Sequence, residues 1–193
     1  MKDNMNMFNM DSERMSLGMK SLDSSSVHMT GQSIDRIYKN GVLIEEVVSH
    51  NLVVNSFLTL VMCLLTHRSG FKGIQYWAIG EGDSSWDSSM PEPSLSDTLL
   101  NNEIGRVPIS LDDVKFLNPQ HEVVSYPTNI IQVSHTFGTD ECNGVWREFG
   151  IFGGNATSNL NSGYMINKRH HKVITKTNEM TVERVMRFTL TLV

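Results

Sequence analysis

The residues with the greatest chemical potential fall in two stretches, Gly82-Asp83-Ser84 and Arg147-Glu148, and in seven histidines. A Gly-Asp-Ser turn after a strand can present a serine nucleophile, as in one class of esterases. That chemistry needs a base to take the serine proton, typically from an Asp-x-x-His late in the chain. The chain contains no Asp-x-x-His, and neither His170 nor His171 has Asp three residues before it. A polar loop using glycine for its turns is therefore the favoured reading. Gly80-x-Gly82 lacks the third glycine of a dinucleotide loop, and Pro91 and Pro93 stand where the following helix would begin. Glu81, Asp83 and Asp87 could offer oxygens to Ca²⁺ but lack EF-hand spacing, so surface acidity is favoured. His28, His50, His67, His121, His135, His170 and His171 include no His-x-x-x-His and no cysteine–histidine pair with zinc spacing. If extended, adjacent His170 and His171 point to opposite faces. No catalytic, cofactor-binding or metal-binding residue is assigned, no cofactor is expected, and the chain reads as non-enzymatic.

Arg147-Glu148 lies between Trp146 and Phe149. Strand alternation would put Arg147 with Phe149 on one face and Trp146 with Glu148 on the other. An internal salt bridge, such as Arg106 to Glu148, is preferred over a partner contact, since Gly150, Gly153 and Gly154 imply tight packing nearby. The densest basic run, Lys168-Arg169-His170-His171-Lys172, is expected to form a solvated strand face.

The elements that must position these groups are mostly strands. Asn40-Gly41 between Ser33–Tyr38 and Val42–Val48 predicts a hairpin with a type I′ turn. A nearly apolar helix over 51–67, capped by Asn51 or Asn55 with Gly70 just beyond, should be covered by sheet on more than one side. Strands are expected over 74–79, over 104–110 with Pro108 at an edge or bulge, and over 131–137, 145–152 and 165–175. The last strand should turn Met186, Phe188, Leu190 and Leu192 to one face and Arg187, Thr189 and Thr191 to the other. Trp86 should anchor into the core the long loop that follows Gly80. The fold class is mainly β: an antiparallel β-sandwich over 31–193 with one buried helix. Residues 1–30 form a separate Met/Ser/Asn-rich arm, holding Met1, Met5, Met7, Met10, Met15, Met19 and Met29. It has too little bulky apolar surface to order alone, yet methionine adapts to irregular grooves on a neighbour.

Composition narrows the partners. A formal net charge of -5 argues against nucleic acid. No secretion signal is read at the start, and the apolar run 52–65 is too short and interrupted for a membrane span, so the product is expected in the cytosol. Cys63 reads as a small buried hydrophobe and Cys142 as a turn residue, without a disulfide.

The ordered set of Asn51-Leu-Val-Val-Asn55, Tyr76-Trp-Ala-Ile-Gly-Glu-Gly82, Asn102-Glu-Ile-Gly-Arg106, Arg147-Glu-Phe-Gly-Ile-Phe-Gly153, Gly163-Tyr-Met-Ile-Asn167 and a terminal Thr-Leu-Thr-Leu strand resembles virion structural proteins of tailed bacteriophages. The likeness is to small tail-fibre, collar and baseplate-associated proteins, and it covers about 40–193. It implies a β-rich, symmetric homo-oligomer without a catalytic site, located in the virion. In it the matched glycines, aromatics and Arg106 would be fold determinants. Residues 1–30 would tether the domain to other virion proteins. The alternative is a carbohydrate- or receptor-binding module at a fibre tip, using Trp86, Trp146 or Tyr126.

Overall fold

The computed structural model describes residues 27–192; the arm ahead of residue 27 lies outside them. In chain order the elements are β1 (Val27–Lys39), β2 (Val42–Val53), α1 (Asn55–Leu65), β3 (Lys72–Gly80), β4 (Glu103–Pro108), β5 (Val114–Leu117), β6 (Val123–Val124), β7 (Ile130–Phe137), β8 (Gly144–Gly154), β9 (Tyr164–Lys176) and β10 (Met180–Leu192). The strands form one antiparallel sheet in the order β4-β3-β8-β9-β2-β1-β10-β7-β5-β6.

The sheet folds back on itself at a narrow seam. β2 and β9 share only the pairs Leu52↔Lys168 and Val53↔Asn167. The two halves meet face to face through aromatic rings: Trp77 of β3 lies 6.4 Å from Phe137 of β7, and Phe137 lies 5.1 Å from Trp146 of β8. Ile37, Val133, Val182, Met186 and Phe188 complete this core from the β1–β10–β7 side. Each such large side chain, fully buried, contributes about 1.5–3 kcal/mol. The expected sandwich is thus a single sheet closed on its own inner face.

Local sequence explains the elements. Asn40 and Gly41 have φ of 50° and 77°, the positive values of the predicted turn. The hairpin runs further than its sequence signal at both ends, so Val27–Thr30 pair with β10 and belong to the sheet rather than to the arm. Pro108 ends edge strand β4, where its missing N–H costs no ladder bond. β5 and β6 were not anticipated, since strands of four and two residues carry no readable period.

Helix α1 differs most from expectation. It begins at Asn55, because residues 51–53 are the end of β2, and Val54 occupies its N-cap without a side-chain cap. Leu60 is buried, but Leu58, Met62 and Leu65 face outward, so the helix covers the sheet on one side only. Cys63 within it is half-buried. No helix among the described residues is long and apolar enough to cross a membrane.

Strand β10 follows the predicted alternation with one exception that matters below. Val182, Met186 and Phe188 point inward, and so does Arg184, while Leu190 and Leu192 run past the core into solvent.

Candidate functional site

The basic run is not a solvated face. Lys168, Arg169, His170 and His171 are all buried, and only Lys172 is exposed. The physical reason is the position of β9, which lies inside the sheet between β8 and β2 with both of its faces covered. Alternation sends Lys168 and His170 outward under the loop that joins β3 to β4. Arg169 and His171 go into the sandwich.

On the outer face, Lys168 Nζ donates to Asn101 Oδ1 at 2.7 Å and to the Leu99 carbonyl at 3.1 Å. It also lies 3.3 Å from Asp97 and 3.4 Å from Glu148. Glu148 is fully buried and accepts the Asn102 N–H at 2.9 Å. Gly80 is required here, since a Cβ on it would sit 2.5 Å from Glu148 Cγ. Arg147 grips Asp87 with two bonds, at 2.7 and 2.8 Å. That contact holds the Asp87 carboxyl below its ordinary range and raises Arg147. Trp86 stacks at 4.1 Å on His170, whose Nδ1 donates to the Pro91 carbonyl at 2.8 Å. Burial, assisted by Lys168, pushes His170 down.

Trp86 therefore anchors the loop, but on His170 at the outer face of β9 and not in the core, where the sequence reading put it, and the Arg147-Glu148 pair is internal. Its partners are not the expected ones. Arg106 pairs with Glu103 at 2.6 and 2.8 Å instead of Glu148, and its Nη1 donates to the Thr157 carbonyl at 2.8 Å. The assumed alternation also fails. The β8–β9 ladder is irregular between Trp146 and Glu148, so Trp146 and Phe149 both enter the core while Arg147 and Glu148 both serve the loop.

Sequence reasoning missed the inner cluster. Asp35 of β1 and Arg184 of β10 are cross-strand partners in the inward rows of their strands. Arg184 Nε and Nη2 donate to the two Asp35 oxygens at 2.6 and 2.9 Å. The guanidinium lies 3.9 Å from the centre of the Phe149 ring, an arrangement that adds cation–π attraction in a desolvated site. Burial alone would raise Asp35, but Arg184 outweighs it and holds the carboxyl below its ordinary range. Arg169 donates to the Ser33 hydroxyl and comes no nearer than 3.7 Å to Asp35. Burial pulls it down to about 10. His171 Nδ1 donates to the Lys172 carbonyl at 2.7 Å, which leaves Nε2 as an acceptor 3.5 Å from Arg184. The available signal was a charge at an inward-parity position, Arg184 between Val182 and Met186.

Where β2 and β9 part beyond their two shared pairs, a cleft of about 730 Å³ opens. Asp35, Arg169 and His171 lie at its floor, and Val47, Trp86 and Ile174 are among its walls. The three aromatics of the glycan reading do not meet there: Trp146 is in the core and Tyr126 is exposed elsewhere.

The remaining residues singled out from sequence are dispersed. Asp83 caps the turn at Ser85 with a 2.8 Å bond. Among the described residues, no group of three His, Cys, Asp or Glu side chains could hold a metal ion. His135 pairs with Glu141 at 3.0 Å. Cys142 lies in a turn with φ of 49°, and burial pushes its thiol up to about 11. Lys176 fastens that same turn through the Gly138 carbonyl at 2.6 Å and Asn143 Oδ1 at 2.7 Å.

Most of the buried cations thus clamp a loop onto the sheet. Replacing Lys168 by Met should cost about 2–3 kcal/mol, because Glu148 and the loop carbonyls lose a charged donor. Limited proteolysis should then cut faster between residues 95 and 102. An unchanged cleavage rate would show that Lys168 is not the clamp.

No protein-family model, no curated protein and no solved structure matches this chain.

Proposed function

We propose that this chain is a non-enzymatic structural subunit of a tailed-phage virion, in the tail, baseplate, collar or fibre attachment, that self-assembles and links neighbouring virion proteins. The observation that carries this reading is an open apolar groove of about 960 Å³ at one end of the sandwich. Phe57 and Leu64 of α1 line one side, and Phe116, Ile131 and Leu190 the other. Leu111, 90% exposed, and Leu190, 44% exposed, stand at this groove. Val27 and Leu192, exposed cross-strand partners, extend the apolar surface at the end of the β1–β10 ladder. Leu111 and Leu190 give the groove an exposed apolar rim, and a second copy of the chain is the occupant that would cover it. The use of buried charge as loop clamps fits a scaffold better than a reactive site. The ordered motif set described above supplies the virion context, and the segment ahead of residue 27 would tether the domain to the next protein.

Light scattering after gel filtration, on the full chain and on a chain starting at Val27, tests this. Both should give one defined oligomer. The double variant Leu111→Asp/Leu190→Asp should give monomers with an unchanged melting temperature, since both positions are exposed. A full chain that is a clean monomer and binds no virion protein would sink the proposal. An oligomer lost only on truncation would move the assembly contacts to the N-terminal segment.

A further inference from the structure

We infer that the cleft between β2 and β9 is a binding site for a sugar-sized monocarboxylate, of which a hexuronic acid is the representative. This is independent of the assembly reading, which rests on the opposite, apolar groove.

The charges at the cleft floor do not balance. Both Asp35 oxygens are taken by the Arg184 fork at 2.6 and 2.9 Å, and Arg169 stands off at 3.7 Å. His171 is neutral, with Nδ1–H directed at the Lys172 carbonyl. Among the described residues, two guanidiniums therefore face one carboxylate, which leaves one unit of positive charge without a counter-ion there at a site largely withdrawn from water. Such a charge is costly unless an anion joins it. Arg169 is the group placed to take that anion. Only its Nη1 is spent, on Ser33; Nε and Nη2 have no acceptor among the described residues, and the side chain keeps 9% exposure where it lines the cleft. Nε and Nη2 make up one edge of the planar fork, the edge that matches a carboxylate with two parallel bonds.

The acidic groups at the cleft do not supply this partner. Asp87 is held by Arg147 at 2.7 Å, and Glu45 is exposed on the β2 side, with no bond to Arg169 among those the structure shows. A single unit of uncompensated charge favours a monocarboxylate over a phosphate dianion. The remaining walls set the size and character of the rest of the ligand. About 730 Å³ is far more than acetate fills and lies within the range of small-molecule sites. Val47, Trp86, Met90 and Ile174 give apolar surface for the C–H face of a ring, while Ser88 and Lys172 offer hydrogen bonds to its hydroxyls.

The test is a titration of the full chain with D-glucuronate, D-glucose and acetate, followed by NMR of the arginine Nε–Hε signals. The Arg169 signal is identified by its loss in Arg169→Met. That variant leaves the Asp35–Arg184 pair balanced and should fold at least as well as the parent. Glucuronate should shift the Arg169 signal at millimolar concentration, acetate should bind more weakly, and glucose should leave it unmoved. Glucuronate affinity should fall about 10- to 100-fold in Arg169→Met. Trp86→Ala should weaken glucuronate but not acetate. The inference is overturned if glucuronate leaves Arg169 unmoved, if glucose binds as well as glucuronate, or if Arg169→Met binds glucuronate unchanged. Equal affinity for acetate and glucuronate would overturn the ring component.

Discussion

Replacing Asp35 by Asn is expected to destabilise the protein by about 3–5 kcal/mol, the range for breaking a buried ion pair from one side. The substitution keeps the shape and one acceptor, so the loss measures charge and not volume. Among the described residues, Asp35 is the single carboxylate paired with Arg184, and it is also the nearest to Arg169, at 3.7 Å. Without it, two guanidiniums sit in the sandwich with no anion between them. Chemical denaturation should show the loss as a lower midpoint with little change in slope. Arg169→Met alone should be neutral or mildly stabilising, because it removes the unbalanced charge while Asp35 keeps its two bonds from Arg184. Combining the two should recover part of the Asp35→Asn loss, with a coupling of about 0.5–3 kcal/mol for groups in contact. Strict additivity of the two changes would show that Arg169 does not share the Asp35 charge, and the account of this cluster would fail.

Acidification should weaken the fold well before ordinary carboxylates titrate. Burial, and after it the Arg184 guanidinium, push His171 down to about 3 from an ordinary 6.5. Between those values the unfolded chain carries a proton on this imidazole that the folded chain does not. Unfolding therefore takes up a proton, and stability falls as pH drops from 6.5 toward 3. At about 1.4 kcal/mol per pH unit the full window amounts to about 5 kcal/mol. The groups facing His171 are Arg184 from β10, Asp35 from β1 and Arg169 from its own strand. Asp35 acts in the same direction lower down: its contribution is present above its ordinary 3.8 and is lost as pH falls through its depressed value. His170, also pushed down, adds to the loss below its ordinary 6.5. Above that value both imidazoles are neutral in either state and contribute no slope. Unfolding free energies from chemical denaturation at about pH 7.5 and about pH 4.5 should therefore differ by about 2–3 kcal/mol. His171→Asn, which keeps a donor near the position of Nδ1, should remove most of that difference. A flat profile in the parent, or an undiminished slope in His171→Asn, would exclude His171 as the cause.

The strands, the Asn40-Gly41 turn and the single helix were legible because their signals are local. Alternation, turn dipeptides and an apolar run act over a few residues, and backbone geometry answers to them directly. The same holds for Trp86, whose bulk in a polar loop marks an anchor. Local signals thus sufficed for the mainly β fold class, the longer strands and the presence of one helix, and for the internal character of the Arg147-Glu148 pair, but not for β5, β6 or the start of α1. The burial of Lys168, Arg169, His170 and His171 could not be read in this way. Whether a basic strand face meets water depends on what lies over it, here the β3–β4 loop on one side and β1 with β10 on the other; the loop contacts are 69 and 79 positions away in the chain and the β1 contact 136. The expected Arg106–Glu148 pair did not form, since Glu103 on Arg106's own strand and Lys168 on β9 lie nearer in space. An irregular ladder between Trp146 and Glu148 breaks the alternation expected for Trp146 to Phe149. The tertiary structure alone decided that Asp35 faces Arg184, and that β2 leaves β9 after two pairs to open a cleft over Arg169. Charges find partners through space, and the free energy that selects those partners comes from desolvation set by the whole fold.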